Sequence, residues 1–172
     1  MLTALLMIAA FYPDLSSLTA MPAGGIAGFW HAMPMVASGY SRVYAFFDDG
    51  RFVWRESEMD GEARLRERSG NWTLEGDSLV LLVTTDLVRE GGILEPATGS
   101  TGTDSELTGF AEMYYDYFVP EEVRLGASAP LFVEPADDPD LPVGMWRMII
   151  GGEDYWLLSS DPGTIQLILN RD

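Results

Sequence analysis

The sequence predicts an all-β domain: a single antiparallel up-and-down barrel of about eight to ten strands behind a short apolar N-terminal segment. Three observations carry this. From Gly25 onward, short runs rich in Val, Ile, Tyr, Phe and Trp alternate in polarity and stop at Gly, Asp or Pro. Several of these runs come in pairs around a glycine turn, as hairpins require. No stretch past residue 25 repeats its apolar residues with a helical period over three turns. Closure follows because a set of short antiparallel strands leaves edges that must be covered or joined.

The elements follow in order. Met1 to Tyr12 is an apolar run ended by Pro13. It is shorter than the roughly 20 residues a membrane-spanning helix needs, so no stable transmembrane anchor is expected. Its length suits the apolar centre of an export signal, with small residues at Ala23-Gly24-Gly25 for cleavage, although the first basic residue is Arg42. A short helix plugging one end of the domain is the other reading. Residues 1–25 are therefore set apart from a domain at 26–172. Gly39 to Phe47 and Arg51 to Glu58 form strands joined at Asp48-Asp49-Gly50, where glycine accepts positive φ without penalty. Trp72 to Leu74 and Ser78 to Thr84 flank Glu75-Gly76-Asp77. Residues 96 to 109 are small and polar and read as a long loop. Met113 to Val119 is an aromatic strand, and Pro135 to Pro142 a proline-rich acidic loop. Met145 to Ile150 and Tyr155 to Leu158 flank Gly151-Gly152-Glu153-Asp154. Thr164 to Leu169 reads as a final strand after the turn Asp161-Pro162-Gly163.

Composition removes several function classes. The 172 residues carry 27 acidic against 10 basic side chains, a net charge of -17, and every basic residue is arginine. Nucleic acid and anionic membranes need the opposite excess, so neither is an expected partner. Cysteine is absent, which excludes disulfides and thiolate metal sites. The only histidine, His31, follows Trp30, and without a second histidine or a cysteine ordinary zinc and copper sites are not expected. Glu134, Asp137, Asp138 and Asp140 offer oxygen ligands, but their spacing does not fit a helix-loop-helix calcium loop and Pro139 interrupts it. An acidic solvated loop is the plainer reading. No phosphate-cradling glycine loop and no nucleophile elbow are present. The chain is accordingly read as a non-enzyme without cofactor.

One pattern occurs three times, at Gly28-Phe29-Trp30, Gly70-Asn71-Trp72 and Gly144-Met145-Trp146. A glycine two residues before a tryptophan shares its face of a strand, lets a neighbour approach, and leaves the indole to fill the centre. The first copy lies at the first strand and Arg171 near the chain's end. With Tyr44-x-Phe46-x-x-Asp49-Gly50-x-Phe52 and Gly70-x-Trp72-x-Leu74-x-Gly76-Asp77-x-Leu79, the sequence resembles the small bacterial lipocalin-like (calycin-type) domains over residues 26 to 84. The resemblance implies a closed barrel, whose interior at about eight strands either fills with side chains or holds one small ligand.

Strand parity suggests the interior. If Tyr44 and Phe46 face inward, the hairpin at Gly50 brings Phe52 and Trp54 to the same face, and Glu56 and Glu58 follow. The next strand carries Arg64, Arg66 and Arg68 in phase with Gly70 and Trp72. A three-residue loop, Met59-Asp60-Gly61, pairs Glu56 with Arg64, Trp54 with Arg66 and Phe52 with Arg68. A two-residue loop, Asp60-Gly61, sends the arginines to the opposite face. In the first register Glu56 and Arg64 form a bidentate pair and Arg66 stacks on Trp54. Buried guanidinium groups demand partners, so one arginine is left to receive a ligand's carboxylate or phosphate. The expected site is Tyr44, Phe46, Trp54, Glu56, Arg64, Arg66 and Arg68, and the expected function is non-catalytic binding of a small amphipathic or anionic molecule by an exported protein. The alternative is a protein-interaction or inhibitory module whose barrel is solid, presenting Tyr114, Tyr115 and Tyr117. A solvated charge stripe, with Glu62 and Glu67 interspersed, is the remaining reading of the arginine run.

Overall fold

Nine antiparallel strands and one helix make up the described part of the chain: β1 (Gly28–His31), β2 (Tyr40–Phe46), β3 (Arg51–Glu58), β4 (Ala63–Glu75), β5 (Ser78–Pro96), β6 (Ser105–Gly126), β7 (Leu131–Val133), β8 (Met145–Ile150), β9 (Glu153–Ser159) and α1 (Pro162–Leu169). The computed structural model describes residues 25–34, 40–58, 63–96, 105–134, 136–138, 141 and 143–170. The proposed export segment up to Gly24, and Arg171, lie outside them. No described helix is long and apolar enough to cross a membrane.

The strands form one sheet in the order β6-β5-β4-β3-β2-β1-β9-β8-β7. Neighbours in sequence are neighbours in space from β1 to β6, as hairpin connections require, and β9 returns to lie beside β1. The ladder does not run continuously into a closed barrel; β6 and β7 are its ends. The end of β6 nevertheless meets β8 at one bridge, Ala127 with Ile150. The Ser128 amide donates to the Ile149 carbonyl at 3.0 Å and the Gly151 amide to the Gly126 carbonyl at 2.8 Å on either side of it.

Alternation along β1, β2 and β9 feeds two cores on opposite faces. One face gathers Trp30, Tyr44, Phe46, Phe52, Leu79, Leu81, Val83, Tyr155 and Leu157. The other gathers Phe29, Val43, Ala45, Trp156 and Leu158 beneath Ile165 and Leu169 of α1. Burial on both faces leaves β1 without an exposed position. The three tryptophans of the Gly-x-Trp copies converge as their pattern implied: Trp30 is fully buried in the first core, and Trp72 and Trp146 pack against it.

Three expectations need correction. The last element is a helix, not a strand. Asp161 caps it by accepting from the Thr164 amide and hydroxyl, each at 2.7 Å, and Pro162 sits in its first turn, where a missing N–H costs nothing. Ile165 and Leu169, four apart, supply its buried stripe. Residues 96 to 109 are not one long loop, because β5 continues to Pro96 and β6 begins at Ser105, each polar strand held by pairing with the other. Finally, β4 pairs with β3 two residues further along than the three-residue loop would set: Glu56 opposes Arg66, Trp54 opposes Arg68 and Phe52 opposes Gly70. A two-residue slip preserves parity, so Arg66 and Arg68 keep the face of Trp54.

Candidate ligand cavity and its arginine cluster

A cavity of about 320 Å³ opens on the first core where β6 diverges from the β8–β9 hairpin. Its walls combine rings (Tyr44, Phe52, Trp54 and Tyr155) with aliphatic side chains (Leu81, Val83, Val123, Leu125 and Ile150). Its polar groups are Arg42, Arg68 and Glu153. The rings brace one another: Tyr44 stacks on Phe46 with centroids 5.4 Å apart and meets Tyr155 edge-on at 5.2 Å. Burial, reinforced by the nearby Glu153 carboxylate, pushes the Tyr44 hydroxyl up to about 12, and burial also raises that of Tyr155. Both phenols therefore stay neutral at any physiological pH.

The arginine cluster is organised by a residue outside the expected set. Asp86, whose side chain is 3% exposed, accepts from Arg66 twice, Nε to Oδ1 at 3.2 Å and Nη2 to Oδ2 at 2.7 Å. Arg68 Nε also donates to its Oδ2, at 3.1 Å, and the Tyr117 hydroxyl approaches the same oxygen at 3.5 Å. Burial favours the neutral acid, but the hydrogen bonds and positive charge of Arg66 and Arg68 outweigh it and hold the Asp86 carboxyl below its ordinary range.

Asp86 reaches this face through a bulge. Gly70 opposes Val83 while Ser69 opposes Thr85, so Thr84 is an extra residue in β5. The bulge presses the Leu82 carbonyl oxygen to 2.0 Å from where a Cβ on Gly70 would stand; only glycine fits there. The extra residue is tied in by the Thr84 hydroxyl, which donates to the Ser69 carbonyl at 3.2 Å. Beyond the bulge the parity of β5 is inverted, and Asp86 faces inward opposite Arg68.

Of the expected site residues, Tyr44, Trp54 and Arg68 line the cavity together. Phe46 is fully buried beneath it. Arg66 is half-exposed and is committed to Asp86 rather than stacked on Trp54. Glu56 lies 3.4 Å from Arg42 Nε and opposes Arg66 across the β3–β4 ladder, while the expected pair of Glu56 with Arg64 falls outside the described residues. Arg64 belongs to β4, but its side chain lies outside the described residues. Arg42 also pairs with Glu153, and this pair separates the main cavity from a second one of about 370 Å³ bounded by His31, Met33 and Asp154. His31 is buried, and its Nδ1 accepts from the Met33 amide at 2.9 Å. Desolvation lowers its pKa, against the Met33 carbonyl, which favours the proton. Among the described residues no cluster of His, Asp and Glu is arranged to hold a metal ion.

Comparison with protein-family models, with curated proteins and with solved structures finds no match to this chain.

Proposed function

We propose that this protein binds, without transforming it, a small amphipathic molecule with a carboxylate or phosphate head, inside a lipocalin-like β-barrel exported from the cytoplasm. The barrel reading is supported by the meander order of β1 to β6, the return of β9 to β1, and the Ala127–Ile150 bridge between the diverging parts of the sheet. The export reading rests on the apolar run at Met1 to Tyr12 and the small residues before Ile26.

One observation carries the ligand chemistry: the state of Arg68 in the cavity wall. Its Nε is fixed by Asp86 at 3.1 Å, while the nearest other carboxylate, that of Glu121, is 4.0 Å from Nη2, beyond hydrogen-bond length. A guanidinium with an anchored stem and available terminal donors suits a bidentate anion. Asp86 is shared by two arginines and Glu121 reaches Arg68 only at 4.0 Å, so neither carboxylate takes up both terminal nitrogens of Arg68. Opposite it, Leu81, Val83, Val123 and Leu125 provide an apolar wall for a short hydrocarbon tail. At about 320 Å³ the space lies at the small end of the range for ligand pockets, about 300–1,000 Å³.

Titration calorimetry with straight-chain carboxylates such as octanoate and decanoate tests this. The expected result is binding that weakens at least about tenfold in Arg68→Gln, the loss of one charge-assisted contact. Native mass spectrometry of protein purified from its source is expected to show a carried small anion. Equal affinity of wild type and Arg68→Gln for every carboxylate, or no binding by either, overturns the proposal.

A further inference from the structure

We propose that the free edge of β6 between Phe110 and Asp116 receives an extended, arginine- or lysine-bearing segment of another protein as an added strand. This does not depend on what the cavity holds.

β5 and β6 run together far beyond the short β8 and β9, as an arm of the sheet. Among the described residues, no strand pairs with the outer edge of β6 short of the bridge at Ala127. Exposed edges of this length are normally blunted by proline, lysine or a covering element. Between Phe110 and Val119 there is no proline and no basic residue. Instead Tyr114 and Tyr115 are more than half-exposed along the regular part of this edge, which ends at Asp116; Phe118, fully exposed, and Val119 follow in a bulge of β6 before Glu121. Tyr117, in contrast, turns inward to Asp86 and is not part of this surface.

The arm specifies the chemistry of its partner by an internal example. Phe110 and Glu112 stand two apart on one face of β6 and together hold Arg89 from β5. The guanidinium lies 4.4 Å from the ring centroid and Nη2 is 2.8 Å from the Glu112 carboxylate. Tyr114 and Asp116 repeat this ring-and-carboxylate pair on the same face, in unbroken register. There, however, β5 offers Leu87 and Thr85 in the places opposite, and Asp116 has no cationic partner among the described residues. The remaining neighbour is a strand on the other edge of β6. A cation presented from it meets the same two groups that Arg89 meets at Phe110 and Glu112, while its backbone completes the ladder.

A second copy of this chain does not suit the edge. Within residues 87–96 and 105–119 there is one arginine, Arg89, against Glu90, Glu95, Glu106, Glu112 and Asp116. Pairing two such arms brings like charges together, in a chain already at -17. A cationic strand is favoured by the same field.

The test uses the full chain and two labelled ten-residue peptides, one alternating Arg with Val and the other Glu with Val, followed by fluorescence anisotropy. Expected are saturable binding of the Arg-Val peptide only, slowed amide exchange across Phe110–Asp116, and about two- to fivefold weaker binding in both Asp116→Asn and Tyr114→Ala. Asp137→Asn removes an equal charge elsewhere on the surface and is expected to bind as wild type. Equal weakening by Asp137→Asn and Asp116→Asn would reduce the effect to non-specific attraction and overturn the proposal. So would unchanged binding in both β6 variants, or a concentration-dependent dimer abolished by Phe118→Ser.

Discussion

Replacing Asp86 by Asn removes one charge and keeps the shape, which isolates its part in the arginine cluster. Three hydrogen bonds from guanidinium groups converge on this carboxylate, at 3.2, 2.7 and 3.1 Å. Bonds to charged groups contribute about 1.5–3 kcal/mol each when desolvated, but the side chains of Arg66 and Arg68 are 45% and 26% exposed. Water therefore takes over part of the loss, and Asp86→Asn is expected to cost about 2–3 kcal/mol rather than the full sum. Urea unfolding should show a lower midpoint with an unchanged slope. Acid titration provides an independent arm. The folded-state pKa of Asp86 is depressed, so its stabilisation is present above the unfolded value of about 3.9 and is lost as pH falls through the folded value. The gap between wild type and Asp86→Asn should accordingly be full at neutral pH and shrink on acidification below about pH 4. A neutral-pH difference under about 0.5 kcal/mol, the range of ordinary surface substitutions, would refute the role given to Asp86.

Gly70→Ala places a methyl group 2.0 Å from the Leu82 carbonyl oxygen, a clash with backbone that cannot be relieved by a rotamer; thermal unfolding should report a loss of at least about 2–3 kcal/mol. Arg55 donates to Glu67 at 2.6 Å and to the Leu169 carbonyl at the end of α1 at 2.9 Å. Arg55→Met should therefore loosen the helix and lower stability by about 1–2 kcal/mol in urea unfolding, with faster amide exchange in α1. The hydroxyl of Tyr44 is raised to about 12, so its contribution is intact below pH 10 and lost as pH rises toward 12. Ultraviolet titration should show tyrosine that stays protonated at pH 11 in wild type, and less of it in Tyr44→Phe.

Periodicity and turn chemistry made the strands from β1 to β4 and the β8–β9 hairpin legible. The Gly50 turn fixed the shared face of Tyr44, Phe46, Phe52 and Trp54. Parity also survived the two-residue slip between β3 and β4, which is why Arg68 belongs to the cavity although its partner was misassigned. Asp86 was hidden for a definite reason. Strict alternation from Leu79, Leu81 and Val83 places it on the opposite face, and only the bulge at Thr84 reverses this. Gly70 was the available signal, since a glycine inside a strand marks a bulge or a close approach. Glu153 and Tyr155 come to the cavity through the adjacency of β9 to β1, a long-range pairing that local pattern does not encode. Arg42, two residues before Tyr44 on β2, shares its face by alternation and was readable. α1 is too short for a three-turn periodicity, yet Asp161-Pro162 with Thr164 is a capping pattern readable in sequence.

Chemical-shift perturbation of the tryptophan indoles on adding decanoate addresses the central claim most directly, because the five indoles report from different places in the fold. Trp54 lines the cavity, whereas Trp156 belongs to the core on the other face of the sheet, beneath α1. A saturable shift of the Trp54 indole, absent at Trp156 and lost in Arg68→Gln, is the expected outcome. An unmoved Trp54, or equal shifts at Trp54 and Trp156, would contradict the account.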